Sequence, residues 1–152
     1  MNDISPITQT HSITPQGAQK LKQQGDALLT DARRALDEQD WTQAIASYYP
    51  AFCIAETMMN MSRCQNCATR LIRQYLRIGM EYLYCLRKSA DDKNAAALMA
   101  LVKHSLAGRT ISQPAEYALA IFHKVAYSPM NEVDAWMQML FAADESRLHT
   151  KH

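Results

Sequence analysis

The sequence predicts an all-α protein of about six helices in antiparallel hairpins, arranged as a helical stack or bundle. Three observations predict it. Apolar residues recur at steps of three and four through most of the chain, which places them on helical faces. Only four Gly and five Pro occur among 152 residues, beside many Ala, Leu and Met, a balance that favours helix over sheet. No stretch alternates apolar and polar residues with the period of two that a half-buried strand requires.

A chain of 152 residues fits one domain, and at that size roughly 68–70% of the unfolded surface can be buried without a disulfide or metal staple. The expected organisation is a flexible N-terminal tail over 1–13, a single helical domain over 14–145 and a polar C-terminal tail over 146–152. The tail is polar, contains Pro6 and shows no periodicity. Thr14-Pro15 opens the first helix: the Thr hydroxyl can cap, and Pro loses nothing at a first-turn position. Ala18, Leu21, Gly25, Leu28, Ala32 and Ala35 then share one face, with Gly17 and Gly25 weakening the helix before about Asp26.

Asp40 with Gln43 reads as a capping box that starts a second helix. Trp41, Ile45, Tyr48, Phe52, Ala55 and Met59 line its inner face, and Pro50 is expected to kink or interrupt it. Residues 62–88 form the longest periodic segment. Cys64, Ala68, Leu71, Tyr75, Ile78, Tyr82 and Cys85 lie on one side, and Ile72, Leu83 and Leu86 on a second. A helix apolar on two sides lies between others, and Gly79 marks a place where it could divide in two. A turn and cap over Ser89–Asp92 leads to a fourth helix, Asn94–Leu106, ended by Gly108. Ser112 and Pro114 open a fifth, stopped at Tyr127-Ser128-Pro129. Asn131 is expected to cap a sixth, with Val133, Trp136, Met137, Leu140 and Phe141 inward.

Composition excludes several classes. Hydrophobic residues at 48% and charged residues at 20% are ordinary for a globular chain and argue against disorder, while a net charge of +1 argues neither for nor against a polyanionic partner. The N-terminus lacks the basic and apolar regions of a secretory signal. No apolar run reaches the about 18 residues that span a bilayer. The expectation is a cytoplasmic protein without a membrane partner, whose four cysteines (Cys53, Cys64, Cys67, Cys85) are reduced.

The stretch Leu28–Glu56 resembles one tetratricopeptide repeat, a 34-residue helix–turn–helix unit. The resemblance rests on Leu28, Ala32, Asp40, Trp41, Ala44, Tyr48 and Ala51. In that family, small residues at the places of Ala32, Ala44 and Ala51 let two helices approach closely, while those of Leu28 and Tyr48 fill the surrounding space. Asp31, Ala35 and Glu56 depart from the pattern, and Pro50 has no counterpart in it. The resemblance implies a scaffold or adaptor whose concave face, made by first helices, binds a protein or peptide. That face would carry Asp26, Leu29, Arg33, Leu36 and Asp37, with Leu29 and Leu36 as apolar contacts and Arg33 as an ionic one. Some small secretion chaperones use such folds. Arg33 stands where the carboxylate clamp of certain repeats has Asn, so a terminal-carboxylate ligand is not implied. Homo-oligomerisation is left open.

A second resemblance competes for the same stretch. Tyr48-Tyr49-Pro50-Ala51-Phe52, followed by Ala55-Glu56, is similar to the second helix of HEPN bundles. Active members carry Arg with a His four to six residues later; here only Arg147 and His152, in the polar C-terminal tail, have that spacing. This alternative implies a bundle that binds nucleic acid or nucleotide without nuclease activity.

Cys64 and Cys67 form a C-x-x-C that could hold zinc or act as a redox pair. No second C-x-x-C or H-x₃₋₅-H completes a zinc set, and the thiols also read as small core residues. Arg63, Arg70, Arg73 and Arg77 recur along one edge of the third helix, where Glu81 is the only acid. Such a basic edge could dock an acidic peptide or a nucleic-acid backbone, or could be a solvated face paired with acids such as Asp31, Asp37 and Glu38. His104 and His123 lack an orienting carboxylate and are expected at core or boundary positions. No phosphate loop, H-E-x-x-H or nucleophile elbow occurs. The expectation is a non-enzyme with no catalytic, metal or cofactor site.

Overall fold

The computed structural model describes residues 14–62 and 65–150, with residues 65, 66 and 145–150 described by backbone alone. Six α-helices follow one another: α1 Pro15–Asp37, α2 Trp41–Met61, α3 Gln65–Lys88, α4 Asp92–Leu106, α5 Gln113–Tyr127 and α6 Met130–Thr150. No strand occurs among the described residues. The expected tail over 1–13 and the residues Arg63 and Cys64 lie outside them. The α6 backbone runs to Thr150, past the domain boundary expected at 145.

Side-chain caps set three helix starts, those of α1, α2 and α4, while Ser112 before α5 makes no cap bond. Thr14 Oγ1 accepts the Gly17 N–H at 3.0 Å, and α1 is continuous from Pro15 rather than firm only from Asp26. Gly25 has a packing reason: a Cβ there would stand 3.0 Å from Ile54 Cγ2 of α2. The α1–α2 turn is a Schellman motif, with Gln39 at φ 60°. The Asp40 N–H reaches the Ala35 carbonyl at 2.9 Å and the Gln39 N–H the Leu36 carbonyl at 3.0 Å. Asp40 then caps α2 by accepting the Gln43 N–H at 3.2 Å. The capping box is only half made, because the Asp40 N–H is spent on the Ala35 carbonyl and the Gln43 amide donates to Ser47 Oγ.

The α3–α4 turn repeats the device. Ala90 takes φ 59°, the Asp91 N–H reaches the Leu86 carbonyl, and Asp91 caps α4 through the Asn94 N–H. At α6 the expectation is corrected. The helix starts at Met130, so Asn131 lies inside its first turn, and Pro129 offers its carbonyl to the Glu132 and Val133 N–H groups. At the end of α5, Arg87 of α3 donates to the Val125 and Ser128 carbonyls, satisfying groups that a helix end leaves open.

Pro50 does not interrupt α2. Its missing N–H frees the Ala46 carbonyl, and Ala46 is exposed, so water can replace the lost bond. Gly79 does not divide α3 either. A Cβ there would stand 3.1 Å from Phe52 Cε1 and 3.5 Å from Phe122 Cε1. The glycine marks where α2 and α5 close on α3 from two sides.

α3 is the hub. α1 packs on α2 and α2 on α3, while α4, α5 and α6 all contact α3. Every residue from Ile78 to Leu86 is buried, as the two-sided apolar pattern requires. Phe52 stacks on Tyr75 at 4.7 Å between ring centroids. Ala32, Ala44 and Ala51 are buried where α1 meets α2, and among the inward residues of α6, Val133 and Met137 are the buried ones.

Gly79→Val should lower the unfolding free energy by about 2 kcal/mol, because Phe52 is fully packed and cannot yield to the added volume. Urea denaturation followed by circular dichroism measures it, and an unchanged midpoint would refute the close-approach role.

Candidate binding cleft

Under one end of the stack lies a charged residue that the core does not expel. Glu81 of α3 is fully buried, and four donors satisfy its carboxylate. Arg33 of α1 forms a fork, Nε to Oε1 at 3.0 Å and Nη2 to Oε2 at 2.9 Å. The Tyr48 hydroxyl of α2 donates to Oε1 at 2.6 Å, and Arg77 Nε, one turn before Glu81, donates to Oε2. Arg77 continues outward, its Nη2 reaching Asp144 of α6 at 2.7 Å. Burial alone would lower the pKa of the Arg33 guanidinium, but the bond and charge of Glu81 outweigh it and raise the value. Burial first, then Glu81, pushes the Tyr48 phenol far up, so it remains a donor.

Above this network opens a cleft of about 520 Å³ between the C-terminal end of α1 and α6. α1 contributes Arg33, Leu36 and Asp37, and Trp41 opens α2 beside them. Tyr84 of α3 lies across from Trp41, the rings edge to face at 5.9 Å and 89°. α6 supplies the opposite wall, with Met137, Gln138 and Phe141. Two polar clamps hold that wall. One is the Arg77–Asp144 pair, with Arg77 also over the Phe141 ring at 5.5 Å. The other is Asp134, which accepts from the Tyr84 hydroxyl at 2.6 Å and from Lys88 at 3.2 Å. The Tyr84 bond first, and Lys88 after it, hold the Asp134 carboxyl below its ordinary range against the opposing effect of burial.

The five residues expected on a partner-binding face divide here. Arg33, Leu36 and Asp37 line the cleft. Asp26 and Leu29 line a crevice of about 10 Å³ against α2 and α3, too small for more than one water, and Asp26 pairs with Lys22 at 2.8 Å. Arg33 also differs from the open ionic contact expected of it, since Nε and Nη2 are committed to Glu81. The basic edge shortens as well. Arg70 and Arg73 are exposed, but Arg77 is turned inward on Glu81 and Asp144.

His104 and His123 are exposed, not core or boundary residues. Cys67 is half-buried, and burial, with Glu81 after it, pushes the Cys85 thiol up. No group of three or more His, Cys, Asp or Glu among the described residues is arranged to hold a metal ion. No helix among them is long and apolar enough to cross a membrane. Sequence reading missed Glu81, Tyr84 and α6 as parts of a site. The available signal was the lone acid of α3, set among apolar residues with Arg77 four residues before it. Neither a protein-family model, nor a curated protein, nor a solved structure matches the chain.

Glu81→Gln should cost about 2–3 kcal/mol in chemical denaturation, below the 3–5 of a fully buried broken pair because both guanidiniums reach solvent. Tyr48→Phe should cost less, about 1–2 kcal/mol, and equal losses would contradict this hierarchy. Asp134 has a lowered folded-state pKa, so its stabilisation is complete above the ordinary aspartate range and is lost as pH falls through it. In Asp134→Asn the fall in stability between about pH 5 and 2 should therefore be shallower than in the parent; parallel pH profiles would refute it.

Proposed function

We propose that the chain is a non-enzymatic helical adaptor that binds a segment of another protein in the cleft between α1 and α6. The cleft itself carries this reading. Its volume of about 520 Å³ falls in the range of ligand sites, yet small-molecule sites bury most of their ligand, and this one is open along its length between two helices. A segment laid between helices suits that shape. The walls join aromatic and apolar groups (Trp41, Phe141, Leu36) to charged ones, the mixture found where few anchors carry most of the binding energy.

The hairpin formed by α1 and α2 is the stretch that resembles a tetratricopeptide repeat, and three of the residues that resemblance nominates stand on this cleft. The nucleic-acid reading draws less support, because Arg77 is spent inside the chain.

Gln138 is exposed on the α6 wall, so Gln138→Trp should fill the cleft without touching the core. A partner captured in stoichiometric amount by the parent chain should be lost by this variant while its circular dichroism is unchanged. Capture that is indifferent to Gln138→Trp would place binding elsewhere and overturn the reading.

A further inference from the structure

We infer that the segment taken by the cleft carries a lysine or arginine next to a large apolar residue; this rests on the adaptor reading above. Glu81 and Asp144 are matched by Arg33 and Arg77, and Asp134 by Lys88. Asp37, exposed on the cleft rim, takes part in none of the ion pairs among the described residues. The next acids along the turn, Glu38 and Asp40, are exposed too, and Asp40 meets only the Gln43 backbone N–H. The rim therefore keeps an uncompensated negative charge.

The rings beside it are of the kind that receive cations. Lys88 Nζ already lies 5.6 Å from the Trp41 centroid and 6.0 Å from that of Tyr84, and Arg77 covers Phe141. An aromatic ring attracts a cation over its face. Trp41 is only partly buried, so part of its surface remains open to a partner. A basic side chain can set its charge at Asp37 and its alkyl stem along Trp41 and Leu36, as long cationic side chains do on apolar surfaces. Its apolar neighbour then enters between Leu36 and Phe141. An acidic segment would meet the unmatched Asp37 and be repelled.

The test is selection of a phage-displayed random dodecapeptide library on the full chain, followed by titration of the enriched peptide and its analogue with each Lys or Arg replaced by Gln. Enriched peptides should join a basic to a large apolar residue. Asp37→Asn, at an exposed position, should weaken the basic peptide about fivefold and leave the Gln analogue unchanged. If the Gln analogue binds as tightly, or Asp37→Asn changes nothing, the inference falls while the adaptor reading stands. If no peptide is enriched, or binding survives Gln138→Trp, both fall.

Discussion

A carboxylate at the centre of an apolar helix imposes the main constraint on this molecule. Taking an ion from water costs several kcal/mol even after the protein relaxes, and Glu81 is fully buried. The cost is offset only if each oxygen is filled by donors of good geometry. Here those donors come from three helices: Arg33 of α1, Tyr48 of α2 and Arg77 of α3 itself. The helices must therefore hold one register relative to one another.

That register determines the cleft. Arg33 is held against Glu81, which orients the last turn of α1 and sets Leu36 and Asp37 on the rim. Arg77 passes the constraint outward to Asp144, so the α6 wall is tied to the same centre. α6 is otherwise tied to α3 by the Asp134 clamp and buries Val133 and Met137 in the core. The walls of the cleft thus depend on a connected polar network, in which each bond gains from the low dielectric around it. The binding proposed here would draw on a rigid floor and on one wall held chiefly by charge.

Much of the architecture was legible because it is local. Helix periodicity, the caps at Thr14 and Asp40 and the stop at Pro129 each depend on residues within a turn of one another. The two-sided pattern of α3 also announced a helix lying between others. Where local rules failed, a neighbour outweighed them. Gly79 would weaken an isolated helix, but Phe52 and Phe122 press on it from α2 and α5 and make the missing side chain an advantage. Pro50 removes a hydrogen bond to the carbonyl of Ala46, an exposed residue where water can replace it. Asn131 is a good cap by type, but the chain had already begun α6 at Met130.

The candidate site was less legible, and the reason is sequence distance. Residue types alone marked Arg33, Leu36 and Asp37 as neighbours on one helix, and determined the helical class, the turn positions and the apolar faces. They could not tell that Arg77 leaves the arginine edge for Asp144, since that partner is 67 residues away. Nor could they tell that Glu81, 48 residues from Arg33, is the buried centre of the stack. Periodicity reports which side of a helix is apolar; it does not report which helix will cover that side, or with what donors. Only the packing of α1, α2 and α6 around α3 decided which charges were neutralised and left Asp37 unmatched on the rim of an aromatic-walled cleft.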